Sequence, residues 1–150
     1  MTKLVMPKVD RKLISNKNVV VENLKKIIKS ENVLDHEDQI RPFETDALSA
    51  YKQKPLAVVF PENTKEVSEI LKYCNEKRIK VIPRGAGTGL SGGALPLADG
   101  ILLCLGKFNK IIDIDYKNRC VVAQPGVTNL SITQAVESKN FYYAPDPSSQ

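Results

Sequence analysis

The stretch that organises this chain reads Pro83-Arg-Gly-Ala-Gly-Thr-Gly-Leu-Ser-Gly-Gly-Ala-Leu-Pro96, and it holds five of the eight glycines. We call residues 83–96 the glycine loop. Glycine loses more backbone entropy on ordering than any other residue and brings no side chain to a core, so such a run predicts close backbone approach to a ligand. Inward-turned N–H groups form a concave anion site, and Arg84 adds a permanent positive charge with forked donors. The loop is therefore predicted to cradle a pyrophosphate, with Arg84 at its mouth.

Two common nucleotide-binding loops do not fit this stretch. Gly87-Thr-Gly89-Leu-Ser-Gly92 has the G-x-G-x-x-G spacing of dinucleotide-binding folds, and a predicted strand, Lys80-Val-Ile82, precedes it. The Rossmann version also needs a helix directly after the glycines, whereas residues 93–100 contain a glycine and a proline and lack helical periodicity. No Gly-Lys-Ser/Thr follows, which excludes a Walker loop. We therefore expect a phosphate-binding loop between two strands.

The residues before the loop predict a strand–helix–strand unit. Leu56-Ala-Val-Val-Phe60 is a continuous apolar run, typical of a strand covered on both faces. Asn63 and Glu66 have the spacing of a capping box at the start of a helix. The apolar residues of that helix recur at helical spacing: Val67, Ile70, Leu71 and Cys74. With the strand Lys80-Val-Ile82 these elements form one βαβ unit, and the glycine loop leaves the carboxyl end of its second strand, where ligands bind in open α/β sheets.

The segments after the loop predict a strand and a hairpin. Ile101-Leu-Leu-Cys-Leu105 indicates another buried strand, and residues 110–115 and 119–124 indicate an antiparallel pair joined at Tyr116-Lys-Asn118. Asp113 and Asp115 share one strand face, which we expect to be the solvent-facing side of the hairpin rather than an acid–base pair. The other face, with Ile112 and Ile114, is expected to be the inner one.

Two helices are predicted at the ends of the chain. Residues 1–17 lack a steady period and are expected to form an arm, and an amphipathic helix runs from Asn18 to between Ser30 and Asn32. Residues 35–55 are expected to be a loop. Near the other end, Thr128 is a good helix cap, and the helix after it should close near Asn140 with its inward residues Ile132, Ala135 and Val136.

Composition narrows the function class. The net charge is +5, but the basic residues are dispersed or lie on helix faces without interleaved aromatic platforms, so no nucleic-acid partner is expected. No apolar run is long enough to cross a bilayer, and no signal-peptide pattern follows Met1, so we expect a cytoplasmic protein without a transmembrane segment. Cys74, Cys104 and Cys120 are expected to be buried, reduced thiols, and the lone His36 a surface residue, with no metal site.

Three motifs together resemble a known family. The glycine loop, with Val58-Val-Phe-Pro61 upstream and Pro145-Asp-Pro-Ser-Ser-Gln150 downstream, is similar to FAD-linked oxidases of the vanillyl-alcohol oxidase type. Within them it most resembles the glycolate oxidase FAD subunit and the FAD-dependent D-lactate dehydrogenases. The implied fold is α+β (mixed α/β), a PCMH-type FAD-binding domain whose βαβ first subdomain is followed by the start of a second mixed-sheet subdomain. Residues 1–44 would be an N-terminal arm and helix, and residues 45–150 the N-terminal part of that domain, truncated at its C-terminus.

The resemblance also implies which residues contact FAD. Many covalent members carry a histidine in the glycine loop, where this chain has Thr88 and Ser91, so non-covalent FAD is expected. The downstream Pro-Asp-Pro-Ser-Ser segment would approach the flavin side of FAD. The implied cofactor contacts are Pro83, Arg84, Gly85, Ala86, Gly87, Thr88, Gly89, Leu90, Ser91, Gly92 and Gly93 in the loop, and Pro145, Asp146, Pro147 and Ser148 downstream.

The implied activity is oxidation of a small 2-hydroxy acid, of the glycolate or D-lactate type, by hydride transfer to FAD. The family's acid–base residues would lie beyond Gln150, so no catalytic residue is assigned here, and the substrate pocket would belong to a C-terminal part that this chain lacks. An electron-transfer subunit is an expected partner and would give peripheral membrane association. Two alternatives remain open: another oxidase or reductase of the same flavin fold, and a non-enzymatic nucleotide- or anion-binding module.

Overall fold

A four-stranded sheet forms the centre of the computed structural model, which describes residues 7–145. Its strands are β1 (Val33–Leu34), β2 (Ala57–Val59), β3 (Lys80–Arg84) and β4 (Gly100–Cys104). Their order is β1-β2-β4-β3, with β2 and β3 parallel to β4 and β1 antiparallel to β2. Every residue of β2 and β4 is buried, as their continuous apolar runs predict.

The predicted βαβ unit is present, but its two strands are not neighbours. β4 lies between β2 and β3 and pairs with both, at Val58↔Leu102 and Ile82↔Leu102. Because the three strands are parallel, their carboxyl ends meet at one edge of the sheet. That edge carries the glycine loop after β3 and the connections that follow β2 and β4.

Five helices surround the sheet in the described part of the chain: α1 (Arg11–Ser15), α2 (Lys17–Ile27), α3 (Glu37–Ile40), α4 (Thr64–Glu76) and α5 (Asn129–Val136). Single 3-10 turns lie at Ser30–Asn32, Arg41–Phe43 and Glu137–Lys139. The predictions for α2, α4 and α5 are confirmed. The prediction of an arm over residues 1–17 is wrong at α1, which Asp10 caps through the N–H of Lys12. The prediction of a continuous loop over residues 35–55 is wrong at α3.

α4 begins as the sequence predicts and packs slightly differently. The side chain of Asn63 accepts the N–H of Glu66 at 3.0 Å, while the carboxylate of Glu66 accepts the N–H of Glu62 at 2.7 Å. Ile70 and Cys74 are fully buried, whereas Leu71 is 45% exposed. The expected inward position of Leu71 is therefore wrong, because the packed face of the helix is centred on Ile70 and Cys74 and has the half-buried Tyr73, rather than Leu71, at its edge.

The N-terminal helices share a core with the sheet. Val21 and Leu24 of α2 belong to the same buried cluster as Val59 and Ile101. The predicted division of the chain at residue 45 stays a prediction, and the contacts just described join its two sides.

A buried carboxylate ties the N-terminus to the edge strand β3. Asp99 Oδ2 accepts the N–H of Asp10 and a hydrogen bond from Lys80 Nζ, each at 2.7 Å. Burial alone would raise the pKa of Asp99, but these hydrogen bonds, together with the positive charge of Lys80 and a further backbone hydrogen bond, hold the pKa below its ordinary value. Asp99 is therefore ionised in the folded protein and accepts both hydrogen bonds as a carboxylate.

The predicted hairpin is confirmed as β5 (Ile111–Asp115) and β6 (Cys120–Ala123). A register shift between Ile111 and Asp113 makes Ile112 the extra residue of a β-bulge, and Ile112 is 65% exposed. Its predicted inner position is wrong, because a bulge changes the face that side chains take. Cys120 is also exposed, which corrects its predicted burial, since among residues 7–145 β6 has β5 as its single partner strand. Ala135 of α5 is exposed as well, while Ile132 and Val136 are buried.

Candidate functional site

The glycine loop presents backbone donors at the carboxyl edge of the sheet. It begins where β3 ends, and Arg84 O is held there by the N–H of Leu105 at 2.9 Å. Within residues 7–145, the N–H groups of Gly85, Gly87 and Gly89 donate no hydrogen bond. Gly85, Gly89 and Gly93 also have open space where a Cβ would stand. Backbone N–H groups without an acceptor among the described residues are suited to an anionic ligand.

Two glycines are required by the backbone of the loop itself. Gly87 has φ +75° and Gly92 has φ +74°, the left-handed region that L-residues rarely adopt. Gly87 is also tightly packed, because a Cβ there would stand 2.3 Å from Arg84 Nη2. Gly87 is thus fixed by shape, whereas Gly85 and Gly89 are free of such constraints.

Arg84 lies beneath the loop. Its side chain is half-buried, Nη1 donates to the carbonyl of Thr45 at 2.7 Å, and the guanidinium carbon stands 5.7 Å from the centre of the Phe43 ring. The sequence placed Arg84 at the mouth of the loop, and the structure turns it inward because Thr45 and Phe43 both attract the cation. A phosphate contact by Arg84 stays a prediction.

A turn at residues 45–48, which we call the Asp46 turn, holds the loop from the other side. The N–H of Ala47 donates to Gly87 O at 2.9 Å. Leu48 Cδ2 lies 3.6 Å from the Cβ position of Gly92. The sequence predicted only a loop over residues 35–55, and the structure makes the Asp46 turn within it the support of the glycine loop.

A cleft of about 280 Å³ opens between the start of the glycine loop and the start of α5. Sequence reasoning missed most of its lining, although Pro125-Gly126 before a capped helix was a usable signal. The lining residues are Gly85, Ala86, Gly106, Pro125, Gly126, Val127, Thr128 and Asn129. Gly126 allows the close approach of these segments, because a Cβ there would stand 2.6 Å from Leu105 O and 2.8 Å from Phe108 O. Thr128 caps α5 by accepting the N–H of Ser131 at 3.1 Å, so the cleft lies at a helix N-terminus.

A larger cleft of about 650 Å³ lies on the hairpin side. Pro145 lines it together with Ile132, Tyr116 and Phe141, and the last two rings are 5.5 Å apart. Among the described residues, none lines both clefts. The predicted contacts Asp146, Pro147 and Ser148 lie outside the described residues.

A charged cluster braces the same edge of the sheet. Glu62 accepts hydrogen bonds from Lys29 Nζ at 2.8 Å, Lys107 Nζ at 2.9 Å and Asn32 Nδ2 at 3.1 Å. The hydrogen bond from Lys29, followed by those from Lys107 and Asn32, lowers the pKa of Glu62 from 4.5 to about 2. Glu62, which follows β2, is therefore the shared acceptor of Lys29 and of Lys107, which follows β4.

The cysteine and histidine side chains of residues 7–145 form no metal cluster. Burial raises the pKa of the Cys74 and Cys104 thiols to about 11, so both are protonated at neutral pH. His36 is exposed, as expected. Across the described residues no three His, Cys, Asp or Glu side chains are grouped as a metal site would need. No helix within residues 7–145 has the length and apolarity needed to span a membrane.

Comparison with known proteins connects this geometry to one family and to several relatives. Residues 55–150 match a family described as FAD binding domain. Glycolate oxidase subunit GlcD of Escherichia coli is 47% identical over 145 residues, which are 97% of this chain and 28% of that protein. D-lactate dehydrogenase of Anaerostipes hadrus is 36% identical over 129 residues, 85% of this chain and 27% of that protein. The crystal structure of p-cresol methylhydroxylase with substrate bound gives a TM-score of 0.72 at 28% identity, over 88% of this chain and 26% of that one.

Proposed function

This chain belongs to the FAD binding domain family, and we propose that its glycine loop holds the diphosphate of FAD in an oxidoreductase that acts on 2-hydroxy acids. The family match and the structural likeness confirm the expected PCMH-type α+β fold and FAD as the cofactor. The chain spans little more than a quarter of the relatives it matches, 28% of glycolate oxidase subunit GlcD. The activity, substrate and partners of a whole protein are therefore part of the proposal.

The observation that carries the proposal is that three N–H groups of the glycine loop donate no hydrogen bond to any residue within 7–145. Gly85, Gly87 and Gly89 offer donors that no residue of the described chain uses, and Gly85 also lines the cleft at the N-terminus of α5. A diphosphate carries the negative charge that such donors and a helix N-terminus both stabilise. FAD extended from this cleft would have its diphosphate on the loop, with non-covalent attachment because the loop offers neither histidine nor cysteine.

The names of the relatives indicate the substrate class. Two of them are named for glycolate and for D-lactate, which are both small 2-hydroxy acids. When bound, FAD supplies the hydride acceptor for oxidation of the carbon that bears the hydroxyl group. We assign no catalytic residue within residues 1–150, and we propose a cytoplasmic protein that reaches the membrane through an electron-transfer subunit.

A fluorescence titration tests cofactor binding by the 150-residue chain. We expect FAD and ADP to bind with similar, weak affinity, because the loop contacts the shared diphosphate, and riboflavin to show no binding. Tight riboflavin binding would contradict the proposal, since riboflavin has no phosphate. Binding of ADP with rejection of FAD would instead favour a nucleotide- or anion-binding module.

The oxidoreductase part of the proposal needs the chain within a protein of its relatives' length. Anaerobic addition of glycolate or D-lactate to that yellow protein should bleach the flavin absorbance. A flavin that stays oxidised with both acids, and is reduced by a sugar alcohol, would favour another oxidase of the same fold.

A further inference from the structure

Asp46 carries an unpaired buried oxygen next to the glycine loop. The residue is 5% exposed, and its Oδ1 accepts the N–H of Leu48 at 2.9 Å. Within the described residues, Oδ2 has no hydrogen-bond partner. A buried carboxylate oxygen without a donor is costly, so its presence in a native structure calls for a structural or functional reason.

The backbone on both sides of Asp46 is bonded to the loop. The carbonyl of Thr45 accepts from Arg84 Nη1 at 2.7 Å, and the N–H of Ala47 donates to Gly87 O at 2.9 Å. Any shift of the loop is therefore transmitted to the Asp46 turn, and the reverse also holds.

Arg84 is the cation that contacts this turn. A guanidinium has five N–H donors, and within the described chain Arg84 uses one of them, on the carbonyl that directly precedes Asp46. A carboxylate beside a bound diphosphate would repel it unless a cation neutralised the carboxylate. Asp46 Oδ2 can therefore accept a hydrogen bond from one of the Arg84 N–H groups that has no other acceptor in the described chain.

We propose that Asp46 is a positioning residue of the FAD site, and that its Oδ2 accepts a hydrogen bond from Arg84 when the loop closes on the diphosphate. The inference rests on the proposed function. Asp46 does not touch the cofactor: it fixes Arg84 and, through Ala47 and Gly87, the N–H groups that do. With this pair formed, both carboxylate oxygens of Asp46 accept a hydrogen bond.

The test compares Asp46→Asn with wild type by FAD titration and by urea unfolding without ligand. Asn keeps the acceptor for Leu48 and removes the charge that Arg84 would meet. We expect the dissociation constant for FAD to rise about tenfold or more, with the midpoint of ligand-free unfolding unchanged or higher. Asp38→Asn, on the exposed side of α3, makes the same charge change and should alter neither quantity.

A double-mutant cycle separates positioning from simple support of the fold. In an Arg84→Gln background, Asp46→Asn should weaken FAD binding by less than twofold, because the partner is already gone. An equal loss in both backgrounds, an unchanged or tighter affinity in Asp46→Asn, or a parallel loss of ligand-free stability would each overturn the inference. If the wild-type chain itself fails to bind FAD, the proposed function fails first and this inference with it.

Discussion

Replacing Gly87 by alanine tests the geometry of the glycine loop most severely. Alanine at φ +75° costs about 1–2 kcal/mol, the penalty for an L-residue in left-handed backbone. Its Cβ would stand 2.3 Å from Arg84 Nη2, so the guanidinium must move away from Thr45. Losing that charge-assisted hydrogen bond costs roughly 1.5 kcal/mol, the lower end of the range because Arg84 is half-buried. We therefore expect Gly87→Ala to lower the free energy of unfolding by about 2.5–3.5 kcal/mol.

Gly89→Ala is the matched control for this substitution. Gly89 has open space around its Cβ position and no positive φ. Alanine there should raise the free energy of unfolding by about 0.4–1 kcal/mol, because it restricts the unfolded chain. The same methyl group stands in front of a backbone donor, so ADP and FAD should bind Gly89→Ala more weakly than wild type.

Urea unfolding followed by circular dichroism gives both free energies, and ADP titration gives the affinities. We expect Gly87→Ala to lower the free energy of unfolding and Gly89→Ala to raise it. Both variants should bind ADP more weakly than wild type. Equal stability of Gly87→Ala and wild type would refute the assigned contact with Arg84. Unchanged ADP affinity in Gly89→Ala would remove that residue from the cradle.

Three further outcomes follow from other parts of the chain. The hydrogen bonds that lower the pKa of Glu62 stabilise the fold above pH 4.5, and this stabilisation is lost as the pH falls toward 2. Glu62→Gln should therefore make the free energy of unfolding in urea depend less on pH in that range. An unchanged pH profile would contradict the role given to Glu62 in the charged cluster. Acid denaturation of a flavin-loaded form should release all flavin to the supernatant, and colour in the pellet would indicate a covalent link. Ile112 and Val122, 65% and 52% exposed, should make the chain self-associate, and Val122→Lys should reduce the mass measured by sedimentation. A wild-type chain that sediments as a monomer would contradict this prediction.

Local signals in the sequence were enough for much of the fold. β2 and β4 are continuous apolar runs, and both are fully buried. α4 and α5 are preceded by Asn63 and Thr128, whose side chains accept the N–H groups they were expected to accept. These features depend on residues within one turn or one strand, so the sequence determines them directly.

The features that the sequence did not predict depend on distant partners. The insertion of β4 between β2 and β3 is a matter of strand order, and Asp10, the residue that caps α1, is held by Asp99, 89 residues away in the sequence. The exposure of Ile112 follows from a bulge that strand alternation cannot reveal.

The candidate site also has some features that local sequence predicts and others that depend on distant contacts. The glycine loop was evident from composition, and its donors lie where the carboxyl-edge rule places a ligand. The inward turn of Arg84 and the support of the loop by the Asp46 turn depend on contacts across about forty residues of sequence, such as the 39-residue separation of Arg84 and Thr45. The contribution of Gly126 to the cleft likewise depends on its packing against Leu105 and Phe108.

The central claim is that loop N–H groups bind a diphosphate, and glycine-selective ¹⁵N labelling of the 150-residue chain tests it directly. Titration with ADP should move the amide resonances of Gly85, Gly87 and Gly89, and also those of Gly106 and Gly126, which border the cleft. The resonance of Gly100, buried in β4, should stay in place and serve as the internal control. Binding of ADP that leaves the three loop resonances unmoved would contradict the account.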